Sequence, residues 1–212
     1  MRLGKELIGK PVYSLTDGRQ LGNVKDIYLD LEFDLLNGIF LGTEGMFKRK
    51  ARVIARENIA VFGYDAVLVT DSDVETDNNQ TPEVELWLRR DSIQGRSIET
   101  AGGTKVGTVG DILFDEKARV VGFSLARVFV AGPVAEKQVV LREAVTNAGG
   151  KEGIMTLDLT KAEKADLDVI KVEKADVDVT KADEDPPKPP QMEDDLPTAD
   201  PADPAEEPAE EA

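Results

Sequence analysis

Two acidic side chains recur at equivalent positions and are the first candidates for chemistry. Asp26 lies in Gly-Asn-Val-Lys-Asp-Ile-Tyr-Leu-Asp at 22–30, and Asp111 lies in Gly-Thr-Val-Gly-Asp-Ile-Leu-Phe-Asp at 107–115. Two carboxylates in one site can divide acid and base work between them. Because each Asp belongs to its own copy of the stretch, we interpret both as structural, each accepting hydrogen bonds from nearby backbone N–H groups.

The densest run of basic residues lies between these two carboxylates in sequence. Its members are Lys48, Arg49, Lys50, Arg52 and Arg56, on a predicted loop and strand. A solvated hairpin is our first interpretation. Docking of an acidic protein partner, or of the chain's own acidic tail, is the second, and contact with nucleic acid phosphates is the third. The equivalent stretch of the second half, 135–138, reads Ala-Glu-Lys-Gln and is not basic, so the cluster is not duplicated.

The single tryptophan is the other candidate contact residue. Trp87 lies in the apolar stretch Val-Glu-Leu-Trp-Leu at 84–88. We expect it to pack where the chain enters its second half. Tryptophan is also enriched at the centres of protein interfaces, so we retain Trp87 as a possible partner-binding residue beside the basic cluster.

Composition and motifs argue against catalysis and against bound metals or cofactors. The chain contains no Cys and no His, which removes the usual zinc sites, Ser-His and Cys-His nucleophiles and thiol redox chemistry. The acidic run that begins at Asp71 lacks the glycine of a calcium loop at its sixth position, where Thr76 stands. We therefore expect no catalytic residue, no cofactor-binding residue and no metal ligand.

The elements that must position these residues form a tandem repeat. Short β-type runs separated by turns fill residues 9–69, and matching segments return 84 to 86 residues later. Within the repeated stretch, Val24 and Ile27 fall on opposite faces of a regular strand, although both are apolar. An extra residue at or near Asp26 would turn both side chains inward, so we predict a β-bulge there and another in the second copy.

The repeat predicts an all-β chain with two small domains. The polar stretch 71–82 has no periodicity and is our predicted linker. It separates a first unit at 1–70 from a second at 83–157. Several short strands with glycine turns are typical of a small closed barrel, because closure removes exposed strand edges.

The repeated residues resemble those of a known family. The first unit carries Gly-Lys-Pro-Val at 9–12, Asp-Gly at 17–18 and Asp-Ile at 26–27, and the second unit more loosely carries Val-Gly at 106–107 and Asp-Ile at 111–112. This pattern resembles the PRC-barrel family, which includes the cytoplasmic barrel of the photosynthetic reaction centre H subunit and the carboxy-terminal domain of the ribosome maturation factor RimM. The resemblance implies two tandem PRC-type β-barrels used for protein contacts, with no catalytic residues to carry over.

Most of the negative charge lies in the last quarter of the chain. The formal net charge is −16, and residues 158–212 contain 19 acidic residues against 6 Lys, which leaves −3 for residues 1–157. A ten-residue repeat occupies 161–180, and acidic and proline residues dominate from Asp185 onward. We expect residues 158–212 to be a disordered acidic tail that could contact the basic loop.

These features together predict an adaptor. The amino terminus lacks the apolar run of a signal peptide, and the most apolar stretch, 123–135, is interrupted by Arg127 and Pro133. We therefore expect a cytoplasmic protein without a membrane span, acting as a non-enzymatic adaptor or scaffold for a protein partner. The alternative is an RNA- or ribosome-associated assembly factor that acts through the basic loop from Lys48 to Arg56.

Overall fold

The computed structural model describes residues 1–44, 50–77, 80–151 and 153–164. Lys48, Arg49 and nearly all of the predicted acidic tail therefore lie outside the described residues. The strands within these ranges are β1 (Arg2–Leu3), β2 (Pro11–Ser14), β3 (Gln20–Asn23), β4 (Asp26–Leu29), β5 (Leu36–Glu44), β6 (Lys50–Ala55), β7 (Ile59–Phe62), β8 (Val67–Val69), β9 (Leu88–Arg89), β10 (Ser97–Thr100), β11 (Lys105–Phe114), β12 (Val120–Val128), β13 (Val139–Leu141), β14 (Val145–Asn147) and β15 (Met155–Leu157).

The helices are few and short, so the predicted all-β class is confirmed. The α-helices in the described part are α1 (Arg90–Ile93), α2 (Pro133–Lys137) and α3 (Leu159–Lys164), and single 3-10 turns occupy Gly4–Leu7, Arg56–Asn58, Pro82–Leu86 and Arg142–Ala144. None of the helices in this part of the chain is long and apolar enough to cross a membrane.

The same strand pairing scheme occurs in both halves. In the first half β2 pairs antiparallel with β3 and parallel with β8, and β7 pairs with β8. In the second half β10 pairs antiparallel with β11 and parallel with β15, and β14 pairs with β15. The hairpin ladder β4-β5-β6 likewise has its counterpart in β11-β12-β13.

The two copies bring their apolar residues to one side of the strand in different ways. In the second copy β11 runs through the whole stretch, and its register against β12 shifts between Val109 and Asp111, which confirms the predicted bulge. In the first copy the strand is interrupted between β3 and β4, so Asp26 begins a new strand in another sheet. Both solutions bury the paired apolar residues completely: Val24 and Ile27, and Val109 and Ile112, are each 0% exposed.

The first strand of each half pairs with a strand of the other half. β1 precedes the first copy but pairs with β11 of the second, placing Leu3 opposite Leu113. β9 precedes the second copy but pairs with β4 of the first, placing Arg89 opposite Tyr28. We call residues 2–7 and 88–93 the lead segments. Their reciprocal pairing joins the two halves by backbone hydrogen bonds as well as by packing.

The hairpin tips of the two copies also meet. The Leu36 N–H donates to the Ala118 carbonyl at 2.9 Å, and the Val120 N–H donates to the Asp34 carbonyl at 2.8 Å. The Phe33 ring packs against the Phe123 ring, with centroids 6.1 Å apart. One hydrophobic cluster therefore runs through both halves of residues 1–164.

Candidate functional site

The two recurring carboxylates, which we expected to act separately, share one buried arginine. The Arg90 Nε lies 2.7 Å from the Asp111 Oδ1, and the Arg90 Nη1 lies 3.9 Å from the Asp26 Oδ1. Asp26, Arg90 and Asp111 are only 2%, 7% and 4% exposed. We call these three residues the buried triad. Sequence reasoning missed Arg90 because its partners come from both halves of the chain.

The exchange of lead segments brings the triad together. The Lys5 backbone N–H donates to the Asp111 Oδ2 at 2.8 Å, and at the equivalent position the Asp91 N–H donates to the Asp26 Oδ2 at 3.2 Å. Each Asp of one copy thus accepts a hydrogen bond from the lead segment of the other. This agrees with our interpretation that both carboxylates bind backbone amides.

Glycine in the first lead segment makes room for the arginine in the second. Gly4 and Arg90 occupy equivalent positions, because β1 and β9 pair in the same way with β11 and β4. A Cβ at Gly4 would lie 2.7 Å from the Ile112 Cγ1 and 2.8 Å from the Arg90 Cδ. These distances are shorter than van der Waals contact, so the interior holds one arginine at this pair of positions.

Both carboxylate oxygens of Asp111 accept hydrogen bonds, whereas only one oxygen of Asp26 does. Asp111 accepts hydrogen bonds from Arg90, Lys5 and the Ile112 N–H. Asp26 is paired through its Oδ2 with Arg89, at 3.1 Å, whereas its Oδ1 is buried without a hydrogen bond. Burial is the largest influence on Asp26 and raises the pKa of its carboxyl group.

The raised pKa predicts how Asp26→Asn responds to pH. The native state holds this proton more tightly than the unfolded chain, whose Asp has a pKa near 3.8. The contribution of Asp26 to stability therefore falls as pH rises from 3.8 through the native pKa. We expect the free energy of unfolding of Asp26→Asn, relative to the parent, to improve over that window, measured by urea unfolding from about pH 3 to about pH 7.

Asp115→Asn provides a control of opposite sign. Burial alone would raise the pKa of Asp115, but hydrogen bonds from the Arg119 backbone and side chain outweigh it, so the pKa is lowered. This stabilisation is present above 3.8 and is lost as pH falls through the native pKa. The relative stability of Asp115→Asn should therefore decline as pH rises. Parallel trends for the two variants would contradict the assignment for Asp26.

Lys50 and Arg52 of the basic cluster are paired within the chain. The Lys50 Nζ lies 2.8 Å from the Asp77 Oδ2, and Arg52 donates from Nε and Nη2 to the two Glu75 oxygens at 2.6 and 2.7 Å. The hydrogen bond to Asp77 raises the pKa of Lys50, and the hydrogen bond to Glu75 raises that of Arg52. Both acids come from the predicted linker, which lies along β6.

Trp87 packs inside the chain, as expected for a junction residue. Its ring lies 5.8 Å from the Tyr28 ring, centroid to centroid, and it is half-buried against a small cluster that contains Phe40, Val53 and Val84. Tyr28 belongs to the first half, so Trp87 covers the outside of the β4-β5-β6 sheet. This packing places Trp87 at the junction, and its role as a partner-binding residue stays a prediction.

A cleft that we did not predict lies beside β7. It has a volume of about 280 Å³, and its walls include Val61, Tyr64, Arg2 and Phe114. Among the described strands β7 pairs with β8 alone, so it is an edge of its sheet. Val61 and Tyr64 are 47% and 62% exposed. The Arg2 guanidinium lies over the Tyr64 and Phe114 rings, 5.0 and 5.3 Å from their centroids, and donates to the Gly63 carbonyl.

A signal for this cleft was present in the sequence. The run Ile-Ala-Val-Phe at 59–62 has the composition of a strand, and Gly63 and Tyr64 follow it. The part of Arg2 could not be inferred, because its position depends on the exchange of lead segments. Among the residues that the structure describes, no group of acidic side chains could hold a metal ion.

Comparison with protein families identifies the first half. A family model described as a PRC-barrel domain matches residues 1–79. Residues 1–79 contain a PRC-barrel domain. The resemblance stated from the first unit is thereby confirmed for this part of the chain. The PRC-barrel domain includes Asp26, Lys50 and Arg52, and it extends through the acidic stretch that lies along β6. A comparison with curated proteins found no match.

Proposed function

We propose that the chain is a non-enzymatic adaptor or scaffold built from two tandem PRC-type units. The second unit is inferred from the strand pairing scheme that β10 to β15 share with β2 to β8. The exchange of lead segments supports a rigid body, because the halves share one core. A rigid body that presents fixed edges to a partner suits a scaffold.

The observation that carries the proposal is the position of β7 at an edge of its sheet, beside the cleft. An edge strand offers unpaired backbone N–H and C=O groups to an extended peptide, and nearby pockets select its side chains. Val61 on the edge and Tyr64 at its end supply exposed apolar surface, and Arg2 supplies a cation in the wall of the cleft. We infer that an extended segment of a protein partner binds there.

The ion pairs of Lys50 and Arg52 favour this function over the RNA-associated alternative. Phosphate contacts need free cationic side chains close together. Asp77 and Glu75 already neutralise Lys50 and Arg52. Within the residues that the structure describes, these ion pairs are the observation that bears on the alternative, and the adaptor is the function that we propose. The cytoplasmic location and the disorder of the acidic tail remain predictions.

Substitutions at the β7 edge test the adaptor function. The full-length chain should recover a specific protein after cross-linking in its native cell. Val61→Asp combined with Tyr64→Asp should reduce that recovery at least ~10-fold, because charges at the centre of an apolar contact remove most of its binding energy.

The matched control places the same charges on other exposed apolar residues. Leu86 and Ile154 are 57% and 52% exposed, and the variant with both changed to Asp should recover the partner normally. Thermal unfolding should confirm that both variants are folded. Equal loss in the two variants, or recovery of RNA without a protein, would contradict the proposal.

A further inference from the structure

A polar cleft with two cationic side chains lies beside the connection between β14 and β15. It has a volume of about 490 Å³, and its walls include Arg96, Lys151, Gln94, Ser92 and Ser97. None of the described residues that line it is acidic, although the chain contains 42 acidic residues against 26 basic ones. Because a cleft lined by charge of one sign concentrates ions of the opposite sign, this cleft is a candidate site for an anion.

The guanidinium of Arg96 is held by backbone carbonyls rather than by a carboxylate. Its Nη1 donates to the Ala148 and Gly150 carbonyls at 3.2 and 2.6 Å, and its Nη2 donates to the Lys151 carbonyl at 2.9 Å. The guanidinium also lies over the Phe33 ring, 5.1 Å from its centroid. Among the described groups, burial alone shifts the pKa of Arg96, which it lowers. These contacts fix the guanidinium in place but do not neutralise its charge.

Lys151 is a second cation without a carboxylate partner in the described part of the chain. Its Nζ donates to the backbone carbonyl of Glu85 at 2.7 Å, and its side chain is exposed. A lysine ammonium carries three N–H donors and an arginine guanidinium carries five. The contacts above use one donor of Lys151 and three of Arg96. Two N–H groups on each side chain therefore make none of these bonds.

The two cations meet because one connection is longer in the second half than in the first. Residues 148–154 join β14 to β15, whereas residues 63–66 join the equivalent strands β7 and β8. The longer connection contains Gly149 and Gly150, whose φ angles of 81° and 56° lie in the left-handed region that favours glycine. It places the Lys151 carbonyl against Arg96, just before β10. The cleft therefore belongs to a difference between the copies, which the shared strand pairing does not require.

The charge and the size of the cleft favour a phosphate group as its ligand. Two cations without carboxylate partners balance the charge of about −1.5 to −2 that a phosphate monoester carries at neutral pH. Phosphate oxygens accept several charge-assisted hydrogen bonds at once. The volume of about 490 Å³ also leaves room for an organic part, since clefts for small molecules measure about 300–1,000 Å³. The hydroxyl oxygens of Ser92 and Ser97 can accept hydrogen bonds from a polar organic part.

We propose that this cleft binds a phosphate group, either free or on a small organic molecule, and that Lys151 and Arg96 are its cationic contacts. Lys151 contributes N–H donors from an exposed side chain, and Arg96 contributes a charge whose position the backbone carbonyls fix. The ligand is a small anion and the cleft is distinct from the one beside β7. The adaptor function and this site can therefore fail independently of each other.

Titration of the isotope-labelled full-length chain with glycerol phosphate, followed by NMR at constant ionic strength, tests the site. We expect saturable shifts of the Arg96 and Lys151 backbone amides and of the Arg96 Nε–H group. Lys151→Gln removes one charge from the cleft and should weaken binding at least ~10-fold, because a hydrogen bond to a charged group is lost. Gln94→Glu adds a negative charge to the wall and should abolish binding. Both side chains are exposed, so thermal unfolding should remain unchanged.

Matched controls make the same changes of charge elsewhere. Lys25→Gln and Gln20→Glu alter exposed residues of the first half that do not line the cleft, and they should leave the dissociation constant unchanged. Acetate at the same ionic strength should give no saturable shifts. Absence of saturable shifts with phosphate, equal shifts with acetate, or equal weakening by Lys25→Gln and Lys151→Gln would overturn the proposal.

Inorganic phosphate distinguishes the two sources of the phosphate group. Tighter binding of glycerol phosphate than of inorganic phosphate would assign the site to phosphate monoesters. Equal binding of the two would show that the cleft recognises the phosphate group alone. Either result supports a phosphate site, provided that Lys151→Gln weakens it.

Discussion

Replacement of Arg90 by Met should lower the free energy of unfolding by about 3–5 kcal/mol. The guanidinium is the buried cation next to two carboxylates that are 2% and 4% exposed. Its removal leaves Asp111 without its charged partner and Asp26 with only Arg89. An uncompensated buried charge costs more than the loss of a surface pair, because water cannot replace the missing partner. Urea unfolding at neutral pH measures the difference.

Arg119→Met is the matched control. Arg119 pairs with Asp115 at 2.7 Å, but its side chain is 62% exposed. This pair has the same chemistry as the pair of Arg90 with Asp111, so burial is the main difference. We expect a loss within about 1 kcal/mol. Similar losses for the two Met variants would contradict the assignment of Arg90 as the buried connection between the halves.

Moving the arginine from one lead segment to the other should recover part of the lost stability. Gly4→Arg alone should destabilise strongly, since even a Cβ at this position would lie 2.7 Å from Ile112. Arg90→Gly alone should destabilise by at least as much as Arg90→Met. In the double variant the new arginine occupies the equivalent place beside Asp26, so we expect it to be more stable than the sum of the single effects by about 1–3 kcal/mol.

Gly102→Ala is the control for Gly4→Ala, because Gly102 has space for a Cβ. A Cβ at Gly102 would meet its nearest neighbour, the Thr100 Oγ1, at 3.8 Å. Gly102→Ala should therefore change stability by less than about 0.5 kcal/mol, whereas Gly4→Ala should cost about 1–3 kcal/mol. Simple additivity in the exchange of Gly4 and Arg90 would show that the two positions are not coupled across the junction.

The strands and their irregularity were predictable because they leave a periodic pattern in the sequence. Matching stretches around Val24 and Val109 revealed the repeat, and the opposite faces predicted for Val24 and Ile27 revealed the need for an extra residue in the strand. The match of residues 1–79 to the PRC-barrel domain confirms the family resemblance in the first half. These features are local, so a single stretch of sequence is enough to reveal them.

The exchange of lead segments leaves no periodic pattern in the sequence. β1 and β9 are two residues each, too short for alternation to be visible, and their partners lie in the other copy. The same limit applies to Arg90, which looks like a surface residue beside Arg89 and Asp91 in the sequence. Its burial follows only from the contact between halves, which a linear pattern does not encode.

The basic cluster shows an intermediate case. Its cations were predicted as a possible contact site, and Lys50 and Arg52 do make charged contacts, but with Asp77 and Glu75 of the predicted linker. The alternation of acids with Val74 and Thr76 is typical of a strand. We predicted a linker instead, because this segment is polar and strand prediction gives most weight to apolar residues.

The match to the PRC-barrel family ends at residue 79. Because the lead segments are exchanged, that position does not separate two units that fold independently. A cut after residue 79 would remove β9 from β4 and would deprive β1 of β11, so both fragments would expose unpaired strand edges. The halves should therefore melt in a single transition. Loss of either half would leave the other with unpaired strand edges, because neither half completes its own sheet.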